Sequence, residues 1–238
     1  MNGIKLVKYS AVIAAITLCV STAKVNAMTV NWANDNGATA LTLNGGTTGL
    51  PVGDIVEIGI FNSGMSDAAI TALFTGAVGN GTAIQSAFHV FASGQIGDGG
   101  SAGTVVGAFA ESSISAGAGF FTSNIYMVVF NVTSAGQIGS ATQMGVFKGP
   151  SAVAAPWLFP ADDGGTATVT ADDMTAASVL IGHYGAGTYS DSVANGATGW
   201  YGDNVNALEL AQIVPEPSTY MLVGMGLLGA WGLRRRRS

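Results

Sequence analysis

Apolar and polar residues alternate along much of the chain's interior. In 54–61, Ile58 and Ile60 fall on one face while Glu57 and Gly59 fall on the other, the period of two that marks a strand. The same reading places strands at 29–33, 40–43, 87–92, 104–110, 124–132, 142–147, 166–170, 178–183 and 207–213. Turn-forming runs such as Asn44-Gly45-Gly46 and Gly97-Asp98-Gly99-Gly100 separate them, since glycine and asparagine admit the backbone angles of tight turns. One short helix is predicted after Ser66, whose hydroxyl caps a turn with Ile70, Leu73 and Phe74 on a shared face. Ten short strands without βαβ alternation predict an all-β fold, an antiparallel β-sandwich. No linker divides 28–213, so it is read as one domain, with the short polar run before Pro215 as its tether.

Both ends break this pattern. Lys5 and Lys8 precede an apolar stretch at 11–20, and Val25-Asn26-Ala27 supplies small residues. This is the layout of a secretory signal peptide over 1–27, with cleavage by signal peptidase between Ala27 and Met28. About ten apolar residues fall short of the roughly 20 a membrane-spanning helix needs. Cys19, the only cysteine, lies inside the signal, so the mature chain is expected to have no disulfide, thiol nucleophile or cysteine metal site. At the other end, Pro215-Glu216-Pro217 precedes an uncharged apolar run at 220–233, closed by Arg234, Arg235, Arg236 and Arg237. Fourteen helical residues span about 21 Å of a hydrocarbon core of about 30 Å, and flanking residues with snorkelling arginines make up part of the difference. The arginines favour the cytoplasmic side. This single helix is expected to stop in the inner membrane after the interior has crossed.

In order and spacing, 214–238 resembles the PEP-CTERM sorting signal of Gram-negative bacteria. A tail of this kind is also described as an ice-binding protein C-terminal domain, a description that implies nothing about ice. The resemblance implies recognition by an exosortase, a membrane protease-transpeptidase. It further implies removal of the tail and transfer to the outer surface or extracellular matrix. No Leu-Pro-x-Thr-Gly is present, so the Gram-positive sortase route does not fit.

Composition sharpens the picture of the interior. Charged residues are 9% of the chain, against about 25% in ordinary soluble domains, and 48% of residues are hydrophobic, ample for a core. The 35 glycines follow no three-residue period, which excludes collagen. Between Met28 and Val214 a single base, Lys148, faces thirteen acids, a net of −12. Such a surface repels phosphate, which excludes nucleic acid as a partner.

Candidate chemistry is sparse. Gly99-Gly100-Ser101-Ala102-Gly103 matches G-x-S-x-G, but β-branched residues follow where a nucleophile elbow needs a helix. Gly224-Met225-Gly226-Leu227-Leu228-Gly229 matches G-x-G-x-x-G inside the apolar tail, with no strand before it. His89 reads as a strand residue and His183 as a strand end, neither with a second histidine at metal spacing. Asp162-Asp163 and Asp172-Asp173 flank the strand at 166–170, with Asp203 in another loop. Loops of this kind offer calcium its oxygens, though solvated turns explain them as well. Trp157, Phe159, Trp200 and Tyr201 can form a sugar-stacking platform if exposed in one row, whereas their burial favours a structural role. The expectation is a non-enzymatic, exported structural or adhesive surface or matrix protein with no catalytic residues and no cofactor. The alternative is a polysaccharide-binding module, assisted by calcium. An exported hydrolase lacks a constellation to carry it.

Overall fold

The computed structural model describes residues 27–34, 39–75, 80–98, 107–116, 119–150, 157–161, 164–189 and 205–213. The signal segment before Ala27, the tail from Val214 with Pro215, Glu216, Pro217 and Arg234 to Arg237, and Asp162, Asp163, Trp200, Tyr201, Asp203 and Gly99 to Gly103 lie outside them.

The alternating segments become strands. They are β1 (Ala27–Ala33), β2 (Thr39–Thr42), β3 (Ile55–Phe61), β4 (Phe88–Gln95), β5 (Ala110–Ala116), β6 (Tyr126–Phe130), β7 (Gln143–Lys148), β8 (Thr166–Thr170), β9 (Val179–Ile181), β10 (His183–Tyr189), β11 (Val205–Glu209) and β12 (Ala211–Gln212). Helices α1 (Asp67–Thr75) and α2 (Asn80–Ala87) sit between β3 and β4, and 3-10 turns occupy Ala135–Ser140, Ala171–Asp173 and Ala176–Ser178. The largest sheet runs β12-β7-β6-β3-β4, with β9 also on β7; two smaller sheets run β5-β1-β8 and β10-β11-β2.

The largest sheet buries both faces. On one, Val56, Ile58, Met127, Val129 and Phe147 join a core completed by Val30 and Trp32 of β1, Val169 of β8, Leu41 of β2 and Leu208 of β11. On the other, Phe61, Val128, Phe130, Met144 and Val146 pack under Ile70 of α1, Ile84 of α2 and Ile138 of the first 3-10 turn. A strand covered twice reads as a near-continuous apolar run, as Tyr126-Met127-Val128-Val129-Phe130 does. Buried Asn34 joins the smaller sheets, donating to the Thr39 and Gly107 carbonyls and accepting from Phe109 N at 2.7 Å.

The mostly-β expectation holds, but its details need correction. Two pairings are parallel, β1 with β8 and β11 with β2, and the described strands form three sheets rather than two. One face of the largest sheet is covered by helices, and the described residues hold two of them rather than the one expected. Of the strand expected at 104–110, residues 104–106 lie outside the described residues and 107–109 are not strand; β5 at 110–116 was not expected, its polar Glu111-Ser112-Ser113 giving little sign of it. The tether expected before Pro215 is absent as far as Ile213: Gln212 pairs with Gln143, and Ile213 N donates to Thr142 O at 2.7 Å. Among the described residues no helix is long and apolar enough to cross a membrane.

Candidate functional site

Lys148 is the last residue of β7, and the register β6 to β7 sets it opposite Tyr126, the first of β6. Cross-strand partners share a face, here the one beneath α1. Helix α1 begins where Ser66 Oγ accepts from Ala69 N at 3.2 Å, so Asp67 stands in its first turn, where a carboxylate complements the exposed amides. Its carboxylate pairs with Lys148 Nζ. Ahead of β6, the segment 123–125 is zipped to 157–159: Ile125 N donates to Trp157 O at 2.9 Å and Phe159 N to Ser123 O at 3.0 Å. That pairing turns Asn124 and Trp157 toward the same place. Gly149 lies against Trp157, whose Cβ would be 2.7 Å from any Cβ at that position, so the floor there must stay free of side chain.

Asp67, Asn124, Tyr126, Lys148, Gly149, Pro150 and Trp157 together line a cleft of about 310 Å³, at the small end of the roughly 300–1,000 Å³ of ligand sites. The Tyr126 ring stands edge-on to Phe61 at 5.1 Å. Burial, then the Asp67 charge, pushes its phenol above the ordinary value, against opposing effects from Lys148 and a hydrogen bond with Asn124. Tyr126 is therefore a neutral hydroxyl at pH 7. An ion pair as open as Lys148–Asp67, with 26% and 46% side-chain exposure, contributes no more than about 1 kcal/mol to stability. A second hollow of about 360 Å³ adjoins the cleft across Asn124 and Tyr126, lined by Asn62, Ser63, Thr122 and Ser123. The chemistry on offer is a dense set of donors and acceptors, neutral in sum.

The residues singled out from sequence fare unevenly. Trp157 and Phe159 are each 2% exposed and belong to the core, so they form no stacking platform. Asp172 is half-buried and Asp173 exposed, in the turn after β8. Among the described residues no group of three or more His, Cys, Asp or Glu is placed to hold a metal ion. His89 shares a 2.7 Å hydrogen bond with Asn62 Oδ1. His183 opens β10 instead of ending a strand, its Nδ1 3.4 Å from Glu209 Oε1. Of the cleft residues the sequence singles out Trp157, for another role, and marks Lys148 as the one Lys or Arg between Met28 and Val214; nothing local points to Asp67, Asn124 or Tyr126.

The described fold defines the class, a mostly-β protein of several sheets with few helices. Residues 214–237 match the PEP-CTERM protein-sorting motif. The motif supports export and membrane-linked sorting, and implies processing by exosortase. No curated protein and no solved structure matches the chain.

Proposed function

We propose that this protein is a non-enzymatic, adhesive structural component of the outer surface or extracellular matrix of a Gram-negative bacterium, holding neutral polysaccharide in the Asp67–Lys148 cleft. The carrying observation is the cleft itself, where a carboxylate, an ammonium, an amide and a phenol converge on one small hollow. Sugar hydroxyls each donate and accept, which suits a mixed set of this kind. The ion pair leaves no net charge to attract an anion, and the −12 between Met28 and Val214 repels polyuronates. With Trp157 and Phe159 buried, polar contacts replace ring stacking. The apolar run at 220–233 and Arg234 to Arg237 serve as a transient inner-membrane anchor, and no cofactor is required.

Affinity electrophoresis of the detergent-solubilised full chain tests this, using dextran, mixed-linkage β-glucan and galactomannan, with alginate as the anionic control. At least one neutral polymer is expected to retard the protein, and alginate is not. Tyr126→Phe and Asn124→Ala should each weaken that retardation about tenfold, the effect of losing one hydrogen bond. Retardation untouched by both substitutions removes the cleft from the function. Binding abolished by EDTA would shift the reading to the calcium-assisted form, with Asp162, Asp163, Asp172 and Asp173 as ligands.

A further inference from the structure

The last described strand and the sorting motif leave no free chain between them. Leu210 is fully buried and its N–H donates to Thr42 O at 3.0 Å. Ala211 and Gln212 pair with Met144 and Gln143. Ile213 N donates to Thr142 O, and its side chain packs on the helix-covered core. The motif begins at the next residue, 214.

Two residues of extended chain reach about 7 Å, so Pro215 stays within about 7 Å of paired Ile213. A folded body of this length has a radius of gyration of roughly 16 Å. A membrane enzyme approaching Pro215-Glu216-Pro217 would therefore meet the body at once. Proteolysis also needs the backbone around the cut to open out of its structure. Beside the motif, the element that can give is β12. β12 is two residues long and pairs on a single side, with β7. Leu210, next in line, is locked in the core, and releasing it would expose a large side chain.

We propose that β12 is a release strand: Ala211, Gln212 and Ile213 unpair from β7 before exosortase processes the tail, while Leu210 holds the body closed. Unpairing extends the reach of Pro215 to about 17 Å from Leu210. Short strands at a sheet edge open at far lower free energy than the core does. This inference rests on sorting through exosortase.

The register supplies the test. Gln143 and Gln212 are cross-strand partners, at the Cα separation of about 4.5–5.5 Å that antiparallel pairs have and a disulfide accepts. In the full chain, Q143C with Q212C should cross-link after export, detectable by gel mobility. The cross-linked precursor should persist at least tenfold longer than wild type in a pulse-chase. Either single variant should be processed at the wild-type rate. Adding reductant to the cells, or inserting six Gly/Ser residues after Ile213 in the cross-linked chain, should restore processing. A cross-linked precursor processed at the wild-type rate overturns the proposal, as does an insertion that restores nothing. Independently, hydrogen exchange on the purified full chain should find the amides of 211–213 far less protected than those of 144–147. Equal protection overturns the proposal even where wild-type processing itself fails, an outcome that would count against the sorting reading instead.

Discussion

Glu57 shows what alternation tells and what it withholds. The pattern places it opposite Ile58 and Ile60, as observed, and invites the reading that its face meets water. In the structure that face lies under the helices, and Glu57 is 3% exposed, opposite Val128 and Ser93, with Oε2 lacking a hydrogen-bond partner. Burial raises its pKa, and burial raises that of Asp54 to about 6 from 3.8. The direction of the linkage follows. Below the unfolded-state pKa both states are protonated and burial carries no charge penalty; above the folded-state pKa the penalty is complete. Stability should thus fall as pH rises from about 4 through 6, with the Asp54 share no more than about 3 kcal/mol at 1.36 kcal/mol per pKa unit. Glu57→Gln, which cannot ionise, should stabilise by about 1 kcal/mol at pH 8 and leave stability at pH 4 unchanged. Urea unfolding at the two pH values measures both, and a variant less stable at pH 8 would show that the ionised carboxylate is favourably held.

Elements were legible where local chemistry specifies them. Ser66 caps α1 as its hydroxyl predicts, and Ile70 sits at the core while Leu73 and Phe74 pack against it. Ser66→Ala should cost about 1 kcal/mol, read from the denaturant midpoint at constant slope; no loss would mean that the packing of Ile70 alone holds the helix. Other elements gave weaker signals. β10 contains Gly185 and Gly187, which weaken any strand pattern, and its register with β11 is irregular between Gly185 and Tyr189. α2 reads Asn-Gly-Thr-Ala-Ile-Gln-Ser-Ala, with too few apolar residues for a stripe. Parallel pairing leaves no local trace, because β1 meets β8, and β2 meets β11, only across most of the chain.

For the whole molecule, the address was legible and the contact surface was not. Three features of the tail follow one another in sequence, whereas the cleft draws Asp67, Tyr126 and Lys148 from three elements that only the fold brings together. The tail's parts separate by mutation. With Pro215, Glu216 and Pro217 all changed to alanine, the apolar run and arginines remain, so the chain should insert and then accumulate uncut in the inner membrane. Serine in place of Arg234 to Arg237 removes a barrier of about 2.5–3.5 kcal/mol per arginine at mid-bilayer, and that variant should escape with its tail attached. Fractionation with C-terminal mass measurement decides. Wild-type surface material still carrying Ser238 would end the removal step.

β1, the first described strand, is the middle strand of its sheet, with Ala27 opposite Ala116 on one side and Thr29 opposite Thr166 on the other. Neither of its described partners, β5 and β8, is its neighbour in sequence. At 5–20 residues per second, the ribosome adds β8 roughly 7–30 s after β1. Throughout that interval the sheet that holds β1 cannot be completed. Contacts so distant in sequence also make for slow folding once the partners exist. An exported chain must cross a membrane, and a topology that withholds one partner of its first described strand for most of the chain's length favours crossing before this sheet is complete.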